Sequence, residues 1–143
     1  MRVLFLTLIL FICTGLFGQQ AVNLSELQPE TEYDNIHVKK LDTDGNSTTF
    51  MIWVKKGVKS HKHAAHSELI YVLDGEGNMT VGESTFKIGP GDYFRIPQNT
   101  FHALDVLSEN AMKVISVQAP EFDGSDRIFD ENDKRVFTKD KGY

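Results

Sequence analysis

The sequence predicts an all-β barrel or sandwich, and three observations carry that expectation. Short β-branched and aromatic runs recur from residue 48 onward, glycine- and proline-bearing turns separate them at regular intervals, and nothing after residue 18 keeps a helical apolar period. A chain of 143 residues, 41% apolar and 24% charged, has the composition of one globular domain, so no second domain is expected beside the barrel.

Residues 1–18 stand apart. Arg2 gives a basic start, Val3 to Phe17 is almost wholly apolar, and Leu16-Phe17-Gly18 ends on a small residue, the pattern of a secretory signal peptide. The apolar run is broken by Thr7, Thr14 and Gly15 and falls short of the roughly 20 residues needed to span a bilayer. Cys13 follows the bulky Ile12, which disfavours lipidation there. Cleavage would leave a chain beginning near Gln19 with no cysteine, so neither disulfides nor thiolate chemistry is expected, and the product would be secreted or periplasmic. Loss of Arg2 takes the formal net charge from −5 to −6, which disfavours nucleic acid or an anionic membrane surface as partner.

Residues 19–47 are polar, with acids at Glu26, Glu30, Glu32, Asp34, Asp42 and Asp44, and are expected to form an arm with one or two edge strands. Thr48 to Val54 is β-branched and aromatic and ends at Lys55-Lys56-Gly57, which predicts a strand with Phe50 and Trp53 in the core. Leu69 to Leu73 is a second strand. Asp74-Gly75-Glu76-Gly77 is expected to turn it back as a hairpin onto Asn78 to Val81, and Gly82-Glu83-Ser84 to reverse the chain again into Thr85 to Ile88. Gly89-Pro90-Gly91-Asp92 precedes a strand over Tyr93 to Ile96 that Pro97 closes, and further strands run about His102 to Leu107 and Met112 to Gln118. The barrel is thus placed at 48–118. The tail, 119–143, carries Phe122, Ile128, Phe129, Val136 and Phe137 as scattered anchors and is expected to pack along the barrel's outside.

Four of the five histidines lie between residues 61 and 102. His61 and His63, two apart on a strand, project to one face while Lys62 points away. Glu68 lies at an odd offset from His63, so residues 64–67 must turn the chain for the carboxylate to come back from a neighbouring strand. Imidazole nitrogen and carboxylate oxygen are ligand types that first-row transition metals accept readily. Metal is expected to leave as pH falls towards about 6 and below, because imidazole must be neutral to coordinate. His66 is read as a loop residue near the barrel mouth with a possible supporting or proton-transfer part, and His37 as an exposed arm residue without a role.

The stretch from His61 to Gly75, His-x-His, four residues, glutamate, six residues, glycine, resembles the first motif of the cupin superfamily. Gly91, five residues, Pro97-x-Asn99, two residues and His102 are similar to the second. Three residues rather than the family's five separate Gly57 from His61. Asn99 stands where the family usually has glycine, a change that asparagine's tolerance of positive φ permits.

The resemblance implies a double-stranded β-helix, or jelly-roll barrel, of the small single-domain type, often paired as a homodimer. It also implies one divalent transition metal held by His61, His63, Glu68 and His102. Iron or manganese is favoured, with zinc, nickel, copper and cobalt possible. Cupins with this pattern include dioxygenases, sugar isomerases and epimerases, decarboxylases and proteins acting on unsaturated uronic acids. The expected function is therefore metal-dependent oxygenation or isomerisation of a small oxygen-rich metabolite, with Glu68 doubling as proton acceptor and His66, Tyr71 and Arg95 as further catalytic candidates if they face inward. The alternatives are a cupin that binds a sugar or other small molecule without turnover, and a structural barrel working through its outer face.

Overall fold

The computed structural model describes residues 21–137, so the predicted leader and the last residues of the tail lie outside the described residues. These residues form ten strands and no α-helix: β1 (Ile36–Thr43), β2 (Thr48–Val54), β3 (Gly57–His63), β4 (Ser67–Asp74), β5 (Gly77–Val81), β6 (Ser84–Ile88), β7 (Tyr93–Ile96), β8 (His102–Val106), β9 (Met112–Ala119) and β10 (Arg127–Phe129). They pair into two five-stranded antiparallel sheets, β1-β2-β9-β4-β7 and β10-β3-β8-β5-β6, facing each other as a jelly-roll barrel. Alternation fills the space between the sheets. Ile52 and Val54 from β2, Ile70 and Val72 from β4, and Met112 and Val114 from β9 meet Met79 and Leu104 from the opposite sheet.

β2 is buried along nearly its whole length, because its outer face is covered as well as its inner one. Met51 is fully buried and Trp53 nearly so on that outer side, beneath the N-terminal arm. Lys113 Nζ donates to the carbonyls of Ser25 and Leu27, and Lys55 Nζ to that of Tyr33, fastening the arm. Phe50 joins the core between the sheets, whereas Trp53 packs on His37. His37, expected to be exposed, is half-buried between the rings of Tyr33 and Trp53, 5.6 and 5.5 Å away.

Two expectations about connections need correction. Residues 74–77 make no hairpin: β4 and β5 belong to different sheets, and the turn is a barrel corner. Gly75 sits there at φ 79°, and a Cβ on it would lie 2.7 Å from the Cα of Met112. Backbone cannot swing aside as a side chain can, so Gly75→Ala is expected to cost about 2–4 kcal/mol of stability. The check is the urea midpoint at unchanged slope; a midpoint equal to wild type would show that the corner yields.

The tail does not simply lie outside. β10 adds a strand to the edge of β3, pairing Arg127 with His63 and Phe129 with His61, which brings the tail against the strand that bears two of the histidines.

Candidate metal centre

β3 carries a bulge: Val58 pairs with Leu104 but His61 pairs with His102, so β3 holds one more residue than β8 over that interval. The extra residue lets Val58 and His61, an odd offset apart, both face the interior. It also turns the Lys59 carbonyl toward the His61 ring, where it accepts from Nδ1 at 2.8 Å. His63, two residues on, shares the inward face, and both rings are buried. His102 enters from the adjacent strand, and its Nδ1 meets the Thr100 carbonyl at 3.1 Å. Thr100 lies in the turn where Asn99 takes φ 58°, the left-handed conformation expected of it, and the Asn99 amide donates to the His63 carbonyl at 2.7 Å.

Glu68 arrives from β4 in the opposite sheet, not from a neighbouring strand, so the chain crosses the barrel between His63 and Glu68. Its Oε2 lies 3.4 Å from His102 Nε2 and 3.7 Å from His63 Nε2. Its Oε1 accepts from the Ser116 hydroxyl at 2.5 Å and from Gln118 Nε2 at 3.4 Å. Ser116 and Gln118 are inward residues of β9, and Gln118 is Glu68's direct cross-strand partner.

Each histidine therefore engages an acceptor through Nδ1: the Lys59 carbonyl for His61, the Thr100 carbonyl for His102, and Asp126 Oδ1 at 3.3 Å for His63. An acceptor at Nδ1 favours a proton there and directs Nε2 inward, where its lone pair can go to a metal once any proton shared with Glu68 is displaced. The ligand-capable atoms of His61, His63 and His102 all lie within 4.8 Å of one another. Atoms bound about 2.1 Å from one ion sit about 3.0–4.2 Å apart, depending on geometry, so the 3.4 and 3.7 Å spacings suit a shared ion. His63 Nε2 is buried without a hydrogen-bond partner, as an atom reserved for a metal would be.

Burial is the largest influence on His61 and, with the neighbouring His102, holds its proton affinity well below the ordinary imidazole range. Burial also dominates at His63 and lowers it, against the pull of Glu68. For Glu68 burial works the other way, but the hydrogen bond and charge of His102, the Ser116 hydroxyl and His63 outweigh it and hold the carboxyl below the usual range.

These directions set a pH dependence. Between about 6.5, where unfolded histidine titrates, and the depressed folded values of His61 and His63, the unfolded chain takes up protons that the folded chain refuses, so stability falls as pH falls. Glu68 and Asp126, also depressed, add stability that is present above the unfolded carboxylate range and lost as pH drops through their folded values. The buried site thus resists protons below the pH near 6 expected for exposed imidazole. Metal is expected to stay bound at pH 6 and to leave at lower pH together with near-UV circular dichroism; release at pH 6 from an intact fold would contradict this.

The other candidates divide. His66 is buried but held away from the cluster, its Nδ1 2.5 Å from Asp126 Oδ2 and its Nε2 2.7 Å from the Glu121 carbonyl. A carbonyl at Nε2 demands a proton there, and the carboxylate at Nδ1 favours a second; these outweigh burial, and the ring's proton affinity is raised. His66 thus shares Asp126 with His63. Tyr71 and Arg95 do not reach the site. On β4 the inward residues are Glu68, Ile70 and Val72, so Tyr71 alternates to the outer face, 44% exposed. Arg95 is exposed likewise and donates to the Ser67 hydroxyl at 3.0 Å.

Asp126, Ser116 and Gln118 were not anticipated. Asp126 follows a polar turn in the tail, 63 residues from its partner His63, and no local pattern links the two. Phe122, also from the tail, packs edge-on against the His63 and His66 rings.

Beside His61, His63, Glu68 and His102 lies a cavity of about 530 Å³. Its walls are mostly apolar, with Ile52, Ile70, Phe94 and Leu104 from the barrel and Phe129 and Phe137 from the tail, while Gln118 and Arg127 add polar groups.

Residues 48–118 match the cupin-domain family model. The chain is a cupin. It is similar to an uncharacterized protein of Aquifex aeolicus, at 29% identity over 108 residues covering 74% of this chain and 88% of that protein. It is also similar to quercetin 2,3-dioxygenase of Bacillus subtilis, at 30% over 84 residues; that stretch is 55% of this cupin but 24% of the dioxygenase. Among solved structures, a Streptomyces nucleoside dehydratase superposes with a TM-score of 0.63 at 18% identity, covering 79% of this cupin and 92% of that chain, a likeness of fold.

Proposed function

We propose that this cupin is a metal-dependent enzyme that oxygenates or isomerises a small chelating substrate. The observation that carries the reading is the grouping of the ligand-capable atoms of His61, His63 and His102 within 4.8 Å of one another beside a cavity, with Glu68 Oε2 3.4 Å from His102 Nε2 and 3.7 Å from His63 Nε2 and with every Nδ1 turned to an acceptor. His61, His63, His102 and Glu68 would hold one divalent transition metal, iron or manganese first. Such an ion supplies Lewis acidity toward a carbonyl or enol oxygen and a place for paired oxygens to bind.

The chain's own groups supply the rest. The Lys59 and Thr100 carbonyls and Asp126 keep the imidazoles in the ligating tautomer. Ser116 and Gln118 hold one oxygen of Glu68 and leave the other facing the histidines. The mostly apolar walls favour a substrate with an oxygen-bearing head on an apolar body over a free sugar.

Relatives that include a dioxygenase support the oxygenase branch. Oxygen uptake by the metal-loaded protein with catechol- and enol-type chelators, beside an isomerase assay on hydroxy-carbonyl compounds, tests the reading. Saturable binding without turnover of any of them would instead favour a small-molecule-binding cupin. The leader supports export to the periplasm or beyond; the mature protein should begin near Gln19, and a purified chain that retains Met1 would contradict export.

A further inference from the structure

Of the described residues that line the cavity, Phe129 and Lys59 are the exposed ones, and Phe129 is 55% exposed. They mark its opening. Phe129 is nonetheless turned inward: it is the cross-strand partner of His61, and side chains directly opposite one another on paired strands share a face. Its ring centroid lies 5.9 Å from that of His61. The strand that carries it is fastened at both ends. The Ala64 amide donates to the Asp126 carbonyl at 3.1 Å just before β10, and the Asp130 amide to the Ser60 carbonyl at 2.9 Å just after it. Further on, Phe137 is seated where Gly57 has no side chain, since a Cβ there would lie 2.6 Å from its Cζ. An aromatic face held in place, open both to solvent and to a cavity beside the histidine cluster, is what a planar ligand needs for stacking. β10 lies beyond residues 48–118, so this ring is an addition of the tail and not part of the cupin domain itself.

We propose that Phe129 is a specificity-determining contact on which a flat, aromatic or conjugated body of the bound molecule stacks while its paired oxygens reach the metal end. This rests on the metal-dependent reading and narrows it to substrates whose chelating oxygens sit on or next to an unsaturated ring. A saturated body of the same size can fill the apolar cavity but cannot offer Phe129 a π face.

Benzohydroxamate and cyclohexanecarbohydroxamate test this, since they share one chelating head and differ in whether the ring it carries is flat or saturated. Their affinities for the zinc-loaded protein are measured by calorimetry in wild type, Phe129→Leu and Phe129→Tyr. The ratio of the two is taken within each protein, so a change in zinc affinity cancels. Wild type is expected to favour the benzoyl probe by about three- to tenfold more than Phe129→Leu does, the value of one aromatic pair. Phe129→Tyr keeps the aromatic face and is expected to keep the wild-type ratio. Equal ratios in wild type and Phe129→Leu overturn the proposal and make the ring an apolar wall alone, even where both affinities fall together. A ratio in Phe129→Tyr as low as that of Phe129→Leu overturns it too. If wild type takes up no zinc, manganese or iron, it is the metal-dependent reading that fails. The ring contact is then read on the metal-free chain from benzyl alcohol against cyclohexylmethanol, with the same ratios for and against it.

Discussion

Replacing His61 or His102 with alanine is expected to lower metal affinity by about 100- to 1,000-fold. Zinc sites with four protein ligands gain about 10–16 kcal/mol at neutral pH, so one ligand is worth roughly a quarter of that. The two rings come from paired strands and lie 4.2 Å apart centre to centre, so neither can be replaced by a nearby side chain without rebuilding β3 or β8. The fold should survive, because both rings border the cavity rather than fill the core cluster. Competition with a fluorescent chelator measures the affinity and far-UV circular dichroism the fold. A folded His61→Ala protein with wild-type metal affinity would refute the ligand assignment. Unchanged activity in that variant would favour a barrel that works through its outer surface.

Asp126→Ala is expected to do two things at once. The carboxylate accepts from the Ala65 amide and engages Nδ1 of both His63 and His66, so its loss frees a ligating ring and unhooks the tail. Groups that orient a ligand are worth about 10- to 100-fold in metal affinity. Leaving buried histidines without their carboxylate should also cost about 2–4 kcal/mol of stability. Hydrogen exchange should quicken across β10, whose pairing with β3 begins at Arg127 beside this contact. Asp126→Asn separates the effects: it keeps the shape and one acceptor but sets an amide against a ring nitrogen, so it should retain more stability than alanine while still weakening metal. Wild-type melting and metal affinity in Asp126→Ala would show the contact to be incidental.

Most of the barrel was legible because its determinants are local. The β-branched and aromatic run from Thr48 to Val54 and the positive-φ residues at Gly82, Gly91 and Asn99 act within a few residues of themselves. What escaped was nonlocal. Whether a turn joins two strands of one sheet or passes between sheets depends on where the partner strands lie, so the segment around Gly75 read as a hairpin although it is a corner. The facing of Tyr71 and Arg95 follows from register with Tyr93 and Leu69, which alternation alone leaves open.

The site shows the same division. The four candidate ligands were readable as a spacing, but the groups that aim them were not. Two are backbone carbonyls, invisible as residue types, and one of these depends on a bulge. Asp126 is brought to His63 only by a short added strand in a tail with few apolar residues.

An anomalous-difference map from crystals of the untagged protein grown with manganese or zinc tests the shared ion most directly. One peak is expected about 2.0–2.2 Å from Nε2 of His61, His63 and His102 and from a carboxylate oxygen of Glu68. A peak lodged between His66 and Asp126, or no peak within reach of the three imidazoles, would contradict it.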